Sequence, residues 1–316
     1  MKKKHVALIG YGYWGQKIYK YLRESEDFLV RYVFFRGLTS LGNVAINQKY
    51  GSEFVPKIDL ILNDESVPNV IIATPIKSHY TLTKQALMKS KNVLVEKPIT
   101  TDYIQCRNLI KLAQERQVIL ETEYTYTYSD ALSRAQKIIE EGKIGEIKSI
   151  ILTKKQLGRF LSYDVYTLLG PHCVSILDMF LSVKDCRFST KPLMSNKGLT
   201  TAAIIYFKSE KRDCQGYIDI SLHCPTRETK VTIYGEHGTI TYDPDSEETL
   251  SLTCYSRTQD EGTTQVKILN KEVDIFNEKH NLKLALNHFS EIIGKNKPDN
   301  SKRADCVTEA ISAFSE

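Results

Sequence analysis

The sequence holds no C-x-x-C pair among its seven cysteines and no histidine spacing suited to a metal ion. Cys106, Cys173, Cys186, Cys214, Cys224, Cys254 and Cys306 are odd in number and widely spread, which argues against a disulfide framework and for reduced thiols in the cytoplasm. His79, His172, His223 and His237 follow no ligand pattern, so no structural metal is expected. No apolar run approaches the length of a bilayer span, so no membrane partner is expected. The basic residues 2–4 and the apolar residues 6–9 do not make a signal peptide, because Gly10 cuts the apolar stretch short. A surplus of one charge is missing too. The 43 basic and 38 acidic residues leave a net charge of +5 scattered along the chain, with no basic arm for nucleic acid.

What is present is an ordinary globular composition, 41% hydrophobic and 26% charged, in a chain of 316 residues. That length exceeds the usual size of one core, so two domains are expected. Residues 5–9 read as a strand, and Gly10-Tyr11-Gly12-Tyr13-Trp14-Gly15 follows at once, leading into a helix over 16–23. This is G-x-G-x-x-G between a strand and a helix, the setting that gives the motif meaning. Gly10 permits a tight turn, Gly12 lets a pyrophosphate approach the backbone, and Gly15 allows close helix–strand packing. The helix N-terminus adds free N–H groups and partial positive charge.

The second strand, 28–35, ends where such folds place an acid for the adenosine ribose. Here stand Phe34, Phe35 and Arg36, with Thr39 and Ser40 just beyond. Arg36 and two hydroxyls suit a 2′-phosphate, which favours NADP over NAD; Arg36 stacked on adenine or in solvent leaves NAD open. Strands at 69–73, 92–95 and 118–120 alternate with helices at 78–89, capped by Ser78, and 102–115. Such repeats predict a doubly wound, mainly parallel Rossmann sheet over residues 1–122. Thr74, Pro75 and His79 fall at the carboxyl end of the 69–73 strand, where the nicotinamide half is expected.

The strand at 92–95 is stopped by Glu96, Lys97 and Pro98. Proline biases Lys97 toward extended geometry and holds it at a strand's carboxyl end, where open α/β sheets bind ligands. Lys97–Pro98 is also a candidate cis bond.

GYGYWG at 10–15, ATPIKSHY at 73–80 and VLVEKP at 93–98 together resemble the glucose-fructose oxidoreductase/inositol dehydrogenase/MocA (Gfo/Idh/MocA) family. With the later LG…GPH…SIL pattern they look most like members acting on UDP-sugars, such as UDP-N-acetylglucosaminuronate 3-dehydrogenases. The resemblance implies an α+β second domain, 123–316, carrying a large, mostly antiparallel open sheet, and a homo-oligomer. It implies that Gly10, Gly12, Tyr13, Trp14, Gly15, Thr74, Pro75, His79, Glu96 and Lys97 line the cofactor site. It makes His172 the histidine beside the substrate hydroxyl. The family often has an aspartate four residues earlier, where this chain has Leu168, and another three residues later, where it has Ser175. Asp164 is the candidate substitute base if its loop bends inward, with Tyr163 and Tyr166 as weaker candidates.

In the second half, residues 123–128 alternate strictly, which predicts a strand with its tyrosines on one face. A helix is expected over 129–141. Further strands are expected at 147–154, 201–207, 214–222, 230–234, 239–242, 250–255 and 265–269, with helices at 282–293 and 306–314. His172 is expected to open an apolar helix. The expected activity is NAD(P)-dependent hydride transfer at a secondary alcohol or ketone of a sugar, a nucleotide-linked sugar or polyol. Lys97 would hydrogen-bond the reacting oxygen and His172 would be the base. Arg159 is a candidate contact for a substrate anion. An imine or enone reductase, or a dinucleotide-sensing regulator without catalysis, are the competing readings.

Overall fold

The computed structural model describes residues 3–35, 51–158, 162–260, 263–295 and 298–314. Its first sheet has the order β3-β2-β1-β4-β5-β6, with every neighbouring pair parallel. The strands are β1 (Lys4–Ile9), β2 (Phe28–Phe34), β3 (Glu53–Val55), β4 (Asn69–Ile72), β5 (Asn92–Glu96) and β6 (Leu120–Glu123). Helices α1 (Tyr13–Glu24), α2 (Asp59–Leu62), α3 (His79–Met88) and α4 (Tyr103–Arg116) connect them. Every residue of β4 is buried, as expected of a strand covered on both faces. The order reverses between β1 and β4, so their carboxyl ends form the topological switch point. The Ala73 N–H donates to the Ile9 carbonyl there, at 2.8 Å.

β6 lies at the edge of this sheet and reads LETE, an unpromising strand that is nonetheless buried throughout. Its free edge is occupied by side chains. Asp299 accepts from the Leu120 N–H (3.0 Å), while Asn300 accepts from the Thr122 N–H (2.9 Å) and donates to the Thr122 carbonyl (2.7 Å). These bonds satisfy backbone groups that an open edge would leave available for pairing with another chain.

The second sheet has the order β14-β13-β12-β11-β7-β10-β9-β8 and is antiparallel except for the β7–β10 pair. After α5 (Asp130–Glu140) come β7 (Ile147–Leu157), α6 (Val165–Phe180), β8 (Cys186–Asn196), β9 (Leu199–Ser209) and β10 (Gln215–Ser221). β11 (His223–Gly235), β12 (Gly238–Tyr242), β13 (Leu250–Asp260) and β14 (Thr263–Asp274) complete the sheet. Helices α7 (Asn281–Ile292) and α8 (Ser301–Phe314) close the chain. The fold is thus a six-stranded parallel Rossmann sheet followed by an eight-stranded, mostly antiparallel one. Two strands have no sequence signature. β3 is three residues long, and β8 is an exposed edge carrying Pro192, a place where proline costs little.

Two compact units result: Met1–Tyr124 with Leu282–Glu309, and Thr125–Asn281 with Ala310–Glu316. Where the sequence suggests one cut near residue 122, the chain returns 282–309 to the first unit. Packing explains it. Leu282, Leu286, Phe289 and Ile292 lie at helical spacing in one buried cluster with Val6, Ile18 and Phe28, and Phe289 stacks on Phe28 at 6.2 Å. Among the described residues no helix is long and apolar enough to cross a membrane.

The expected strand over 123–128 is absent. β6 stops at Glu123 and Thr125–Tyr128 forms a 3₁₀ turn. Alternation of tyrosine and threonine gives the right composition for a strand, but no neighbouring strand pairs with it. Ser129 then caps α5, its hydroxyl accepting from the Leu132 N–H at 3.0 Å.

Candidate active site

In the first unit the glycine turn does what its three glycines require. Gly10 has φ +109°, and a Cβ there would lie 2.4 Å from the Ala73 carbonyl oxygen. A Cβ on Gly15 would lie 2.1 Å from the Gly10 oxygen, so this glycine lets α1 sit against the turn. Gly12 is different: nothing lies within 4 Å of its Cβ position. That open side borders the N-terminus of α1, where Gly12 is the cap, no side chain caps the helix and the first turn has no acid. A helix N-terminus that no side chain caps, beside an open backbone, fits a pyrophosphate. Tyr13 is 54% exposed and Lys17 reaches over the rings of Tyr13 and Trp14, at 4.6 and 4.9 Å. The indole N–H of Trp14 is buried without a hydrogen-bond partner. Arg36, Thr39 and Ser40 lie outside the described residues, as does Arg159.

Lys97 is half-buried just past the end of β5, and the Lys97–Pro98 bond is cis. His79 ties this turn to the end of β4. One of its ring nitrogens lies 2.8 Å from the Pro98 carbonyl oxygen and the other 2.7 Å from that of Thr74. The ring is 1% exposed, so His79 braces the two loops from within. Burial holds its pKa below the usual 6.5, against the two carbonyls, which favour the protonated ring; the Lys97 charge adds to the lowering. Ser78 differs from expectation. Residues Ile76–Ser78 form a 3₁₀ turn, and the Ser78 hydroxyl faces the Pro75 carbonyl and the Thr74 hydroxyl, both at 2.8 Å, so it does not cap α3.

Glu96 precedes Lys97 and lies beside Glu123 in the β5–β6 register. Both are buried, and one carboxyl oxygen of Glu96 has no hydrogen-bond partner. Burial, then repulsion from Glu123, pushes the Glu96 pKa well above 4.5; Lys97 pulls the other way. The turn below Lys97 therefore carries a carboxyl that favours its neutral form.

In the second unit His172 does not open its helix. α6 begins at Val165 and runs through Pro171, so His172 sits in its interior. The cap is Asp164, whose carboxylate accepts from the Thr167 N–H at 2.6 Å. The apolar stretch extends upstream of the proline, and a capping aspartate outweighs a proline as the start signal. Leu168 and His172 are half-buried on a helix otherwise almost entirely buried, and their i, i+4 spacing puts them on the same accessible strip. Tyr166 is buried, and Tyr163 is half-buried ahead of the helix.

Against His172 stands a group that no motif announces. The Tyr126 ring meets the imidazole edge-on, with centroids 5.4 Å apart and planes at 89°. Lys154 and Arg227 donate to the Tyr126 oxygen at 2.6 and 2.7 Å, and Lys154 also donates to Thr229 at 2.7 Å. The signal available in sequence is register. Ile150, Leu152 and Lys154 alternate along β7, and all are at most 2% exposed, so the lysine occupies an inward position. Among the described residues no group of three or more metal-ligating side chains could hold an ion.

A dinucleotide-binding α/β unit joined to a large open sheet is the class that these features define. Residues 4–124 match the family profile GFO_IDH_MocA, the oxidoreductase family with an NAD-binding Rossmann fold. Over 106 residues the chain is 29% identical to dTDP-3,4-didehydro-2,6-dideoxy-alpha-D-glucose 3-reductase of Streptomyces violaceoruber, covering 34% of this chain and 31% of that enzyme. Over 144 residues it is 27% identical to scyllo-inositol 2-dehydrogenase (NADP(+)) of Bacillus subtilis, covering 46% and 39%. The match thus spans well under half the length of either curated relative. KijD10, a 3-ketoreductase from Actinomadura kijaniata solved with NADP and TDP-benzene, shares the fold at 15% identity. Its TM-score is 0.80, over 99% of this chain and 97% of that one.

Proposed function

We propose that this chain is a pyridine-nucleotide oxidoreductase acting at a secondary alcohol or ketone of a sugar, in particular a nucleotide-linked sugar or polyol. NADP is the favoured dinucleotide, on the strength of Arg36, Thr39 and Ser40. The observation that carries the reading is the open backbone at Gly12 beneath an uncapped helix N-terminus, in the same unit as a half-buried lysine past a neighbouring strand end. Curated relatives named as a dTDP-sugar 3-reductase and an inositol 2-dehydrogenase agree with this substrate class. UDP-sugars head the candidates, on the GYGYWG and GPH blocks.

The nicotinamide supplies or accepts the hydride when bound. Lys97 donates a hydrogen bond to the reacting oxygen and stabilises the negative charge that develops there. His172, on the accessible strip of α6, takes the hydroxyl proton in oxidation and returns it in reduction. Glu96 and His79 hold the Lys97 turn, and the first task of Asp164 is to cap α6. A second copy of the chain is the proposed partner for the open face of the large sheet. Tyr206, Tyr217 and Ile151 follow one another across that face, with Tyr206 47% exposed.

One observation favours the regulator reading: Leu168, one turn before His172 on the same strip, is apolar and cannot take a proton. A single experiment separates the two. Bound dinucleotide is identified by mass spectrometry, and absorbance of reduced nicotinamide is followed with a panel of UDP-sugars, dTDP-sugars and polyols. Turnover that vanishes in Lys97→Ala supports the enzyme; tight dinucleotide binding with no turnover on any compound overturns it.

A further inference from the structure

Tyr126 is where the second unit gathers positive charge around a single oxygen. Lys154, from β7, is 2% exposed, and its hydrogen bonds at 2.6 and 2.7 Å go to two hydroxyls, those of Tyr126 and Thr229. Arg227, from β11, is open to solvent along part of its length and donates to the same Tyr126 oxygen. A buried ammonium whose partners are all neutral is costly. A guanidinium cannot lose its proton to relieve the crowding. The hydrogen-bond inventory points the same way. A neutral phenol that accepts two charge-assisted bonds must still place its own proton, and the remaining neighbour, Thr229, lies at 3.4 Å and already accepts from Lys154. An ionised phenol accepts both short bonds and has no proton to place.

We propose that Tyr126 stands as a phenolate at neutral pH, an internal anion clamped by Lys154 and Arg227, and that in this form it positions His172 and sets the pH range over which that imidazole titrates. The proton given up by the phenol goes to solvent, so no other reactant is needed. Burial alone pushes the Tyr126 pKa up, but the Lys154 and Arg227 charges outweigh it and hold it below the usual 10.0. The groups facing the ring come from several elements. They are Lys154 of β7, Arg227 and Thr229 of β11, His172 of α6 and Tyr242 of β12, whose hydroxyl donates to Glu278 at 2.8 Å. Asp245 acts on Arg227 from further off. With Lys154 and Arg227 cationic, an ionised Tyr126 leaves the trio at one net positive charge, and its removal leaves two. Loss of the phenolate therefore makes an imidazolium at His172 harder to form.

This inference deepens the proposed function and rests on it only for the role of His172 in catalysis; its test needs no substrate. Phenolates absorb in a red-shifted ultraviolet band that neutral tyrosines lack, so one ionised ring among 18 tyrosines is visible by difference. The wild-type protein is expected to show that band at pH 7, to lose it on acidification above the unfolding range, and to lack it in Tyr126→Phe. Lys154→Met is expected to move the band's titration upward by about one unit or more. In ring-nitrogen NMR of the labelled protein, with His172→Gln as the assignment control, Tyr126→Phe is expected to lower the His172 midpoint by about one unit. No band in the wild type at pH 7, a band that survives Tyr126→Phe, or an unmoved His172 midpoint overturns the proposal. Because the first readout uses the wild type alone, misfolding of a variant leaves the ionisation of Tyr126 decided.

Discussion

Gly12→Ala separates the architecture of the glycine turn from its proposed use. The backbone at Gly12 has φ −76° and ψ −164°, an extended geometry open to alanine, and a methyl there meets nothing within 4 Å. The folded chain loses nothing, and the unfolded chain loses freedom, an effect worth roughly 0.4–1 kcal/mol in favour of folding. The melting temperature should therefore hold or rise, at about 2–4 °C per kcal/mol for a body of this size. Gly10→Ala and Gly15→Ala are the controls. At Gly10 the positive φ costs about 1–3 kcal/mol, to which contact with the Ala73 oxygen at 2.4 Å adds. At Gly15 the obstruction is the Gly10 backbone oxygen at 2.1 Å, which cannot swing aside as a side chain can. Both should melt well below the wild type. Binding should order the variants differently. A methyl at position 12 fills the space that a pyrophosphate needs, so Gly12→Ala should lose at least about tenfold in dinucleotide affinity, or ~1.4 kcal/mol, while keeping its stability. Melting curves without ligand and fluorescence titration with NADPH and NADH measure the two effects. A Gly12→Ala protein that binds as tightly as the wild type would refute the placement of the phosphates.

Lys97→Ala should cut turnover about 10²–10³-fold while leaving dinucleotide affinity near wild type, since the lysine is assigned to the reacting oxygen; parallel losses of both would count against that assignment. Asp164→Ala removes the α6 cap and should lower stability by about 1 kcal/mol in denaturant titrations, whereas Asp164→Asn, which can still accept from Thr167, should lose much less. Glu96→Gln should flatten the dependence of stability on pH. With its folded pKa raised above 4.5, Glu96 keeps a proton that the unfolded chain releases, so its contribution is complete below 4.5 and is lost as pH rises through the folded value. Melting temperatures measured upward from pH 5 should fall less steeply in the variant; an unchanged slope would show that Glu96 is ionised in the fold.

Much of the first unit was legible because its signals are local and agree with one another. The glycine turn needs no partner element to be recognised, and Gly15 acts on the Gly10 oxygen five positions away, although Gly10 also abuts the distant Ala73 carbonyl. The stop at Glu96-Lys97-Pro98 is equally self-contained. What sequence missed there depends on distant chain. The sixth strand, expected at 118–120, lies at Leu120–Glu123, because nothing in LETE announces a buried strand until Asp299 and Asn300 arrive to pair its edge, and nothing in the 282–293 helix names the sheet it will cover. His79 shows the same limit within a legible motif. Its position at the end of β4 was readable, but the two carbonyls that turn its ring inward come from Thr74 and Pro98, the second on another strand's loop.

The second unit was legible as a sheet and much less so as a site, for a physical reason. A strand's period reveals which residues share a face, but only the full set of neighbours reveals which face is buried and where the chain leaves the sheet. Tyr124, Tyr126 and Tyr128 have the alternation of a strand, yet the hydrogen bonds that would make them one are absent, and the chain coils into a 3₁₀ turn that carries the Tyr126 ring to His172. Lys154 obeys its strand's period and is buried for that reason, against the usual preference of lysine for water. Its placement makes sense only beside Tyr126 and Thr229, which reach it from residues 28 positions before and 75 after. Charge buried at such sequence distances is invisible to motifs. It is also expensive enough to favour an opposing charge nearby, and in this cluster the phenol is the group that can become one.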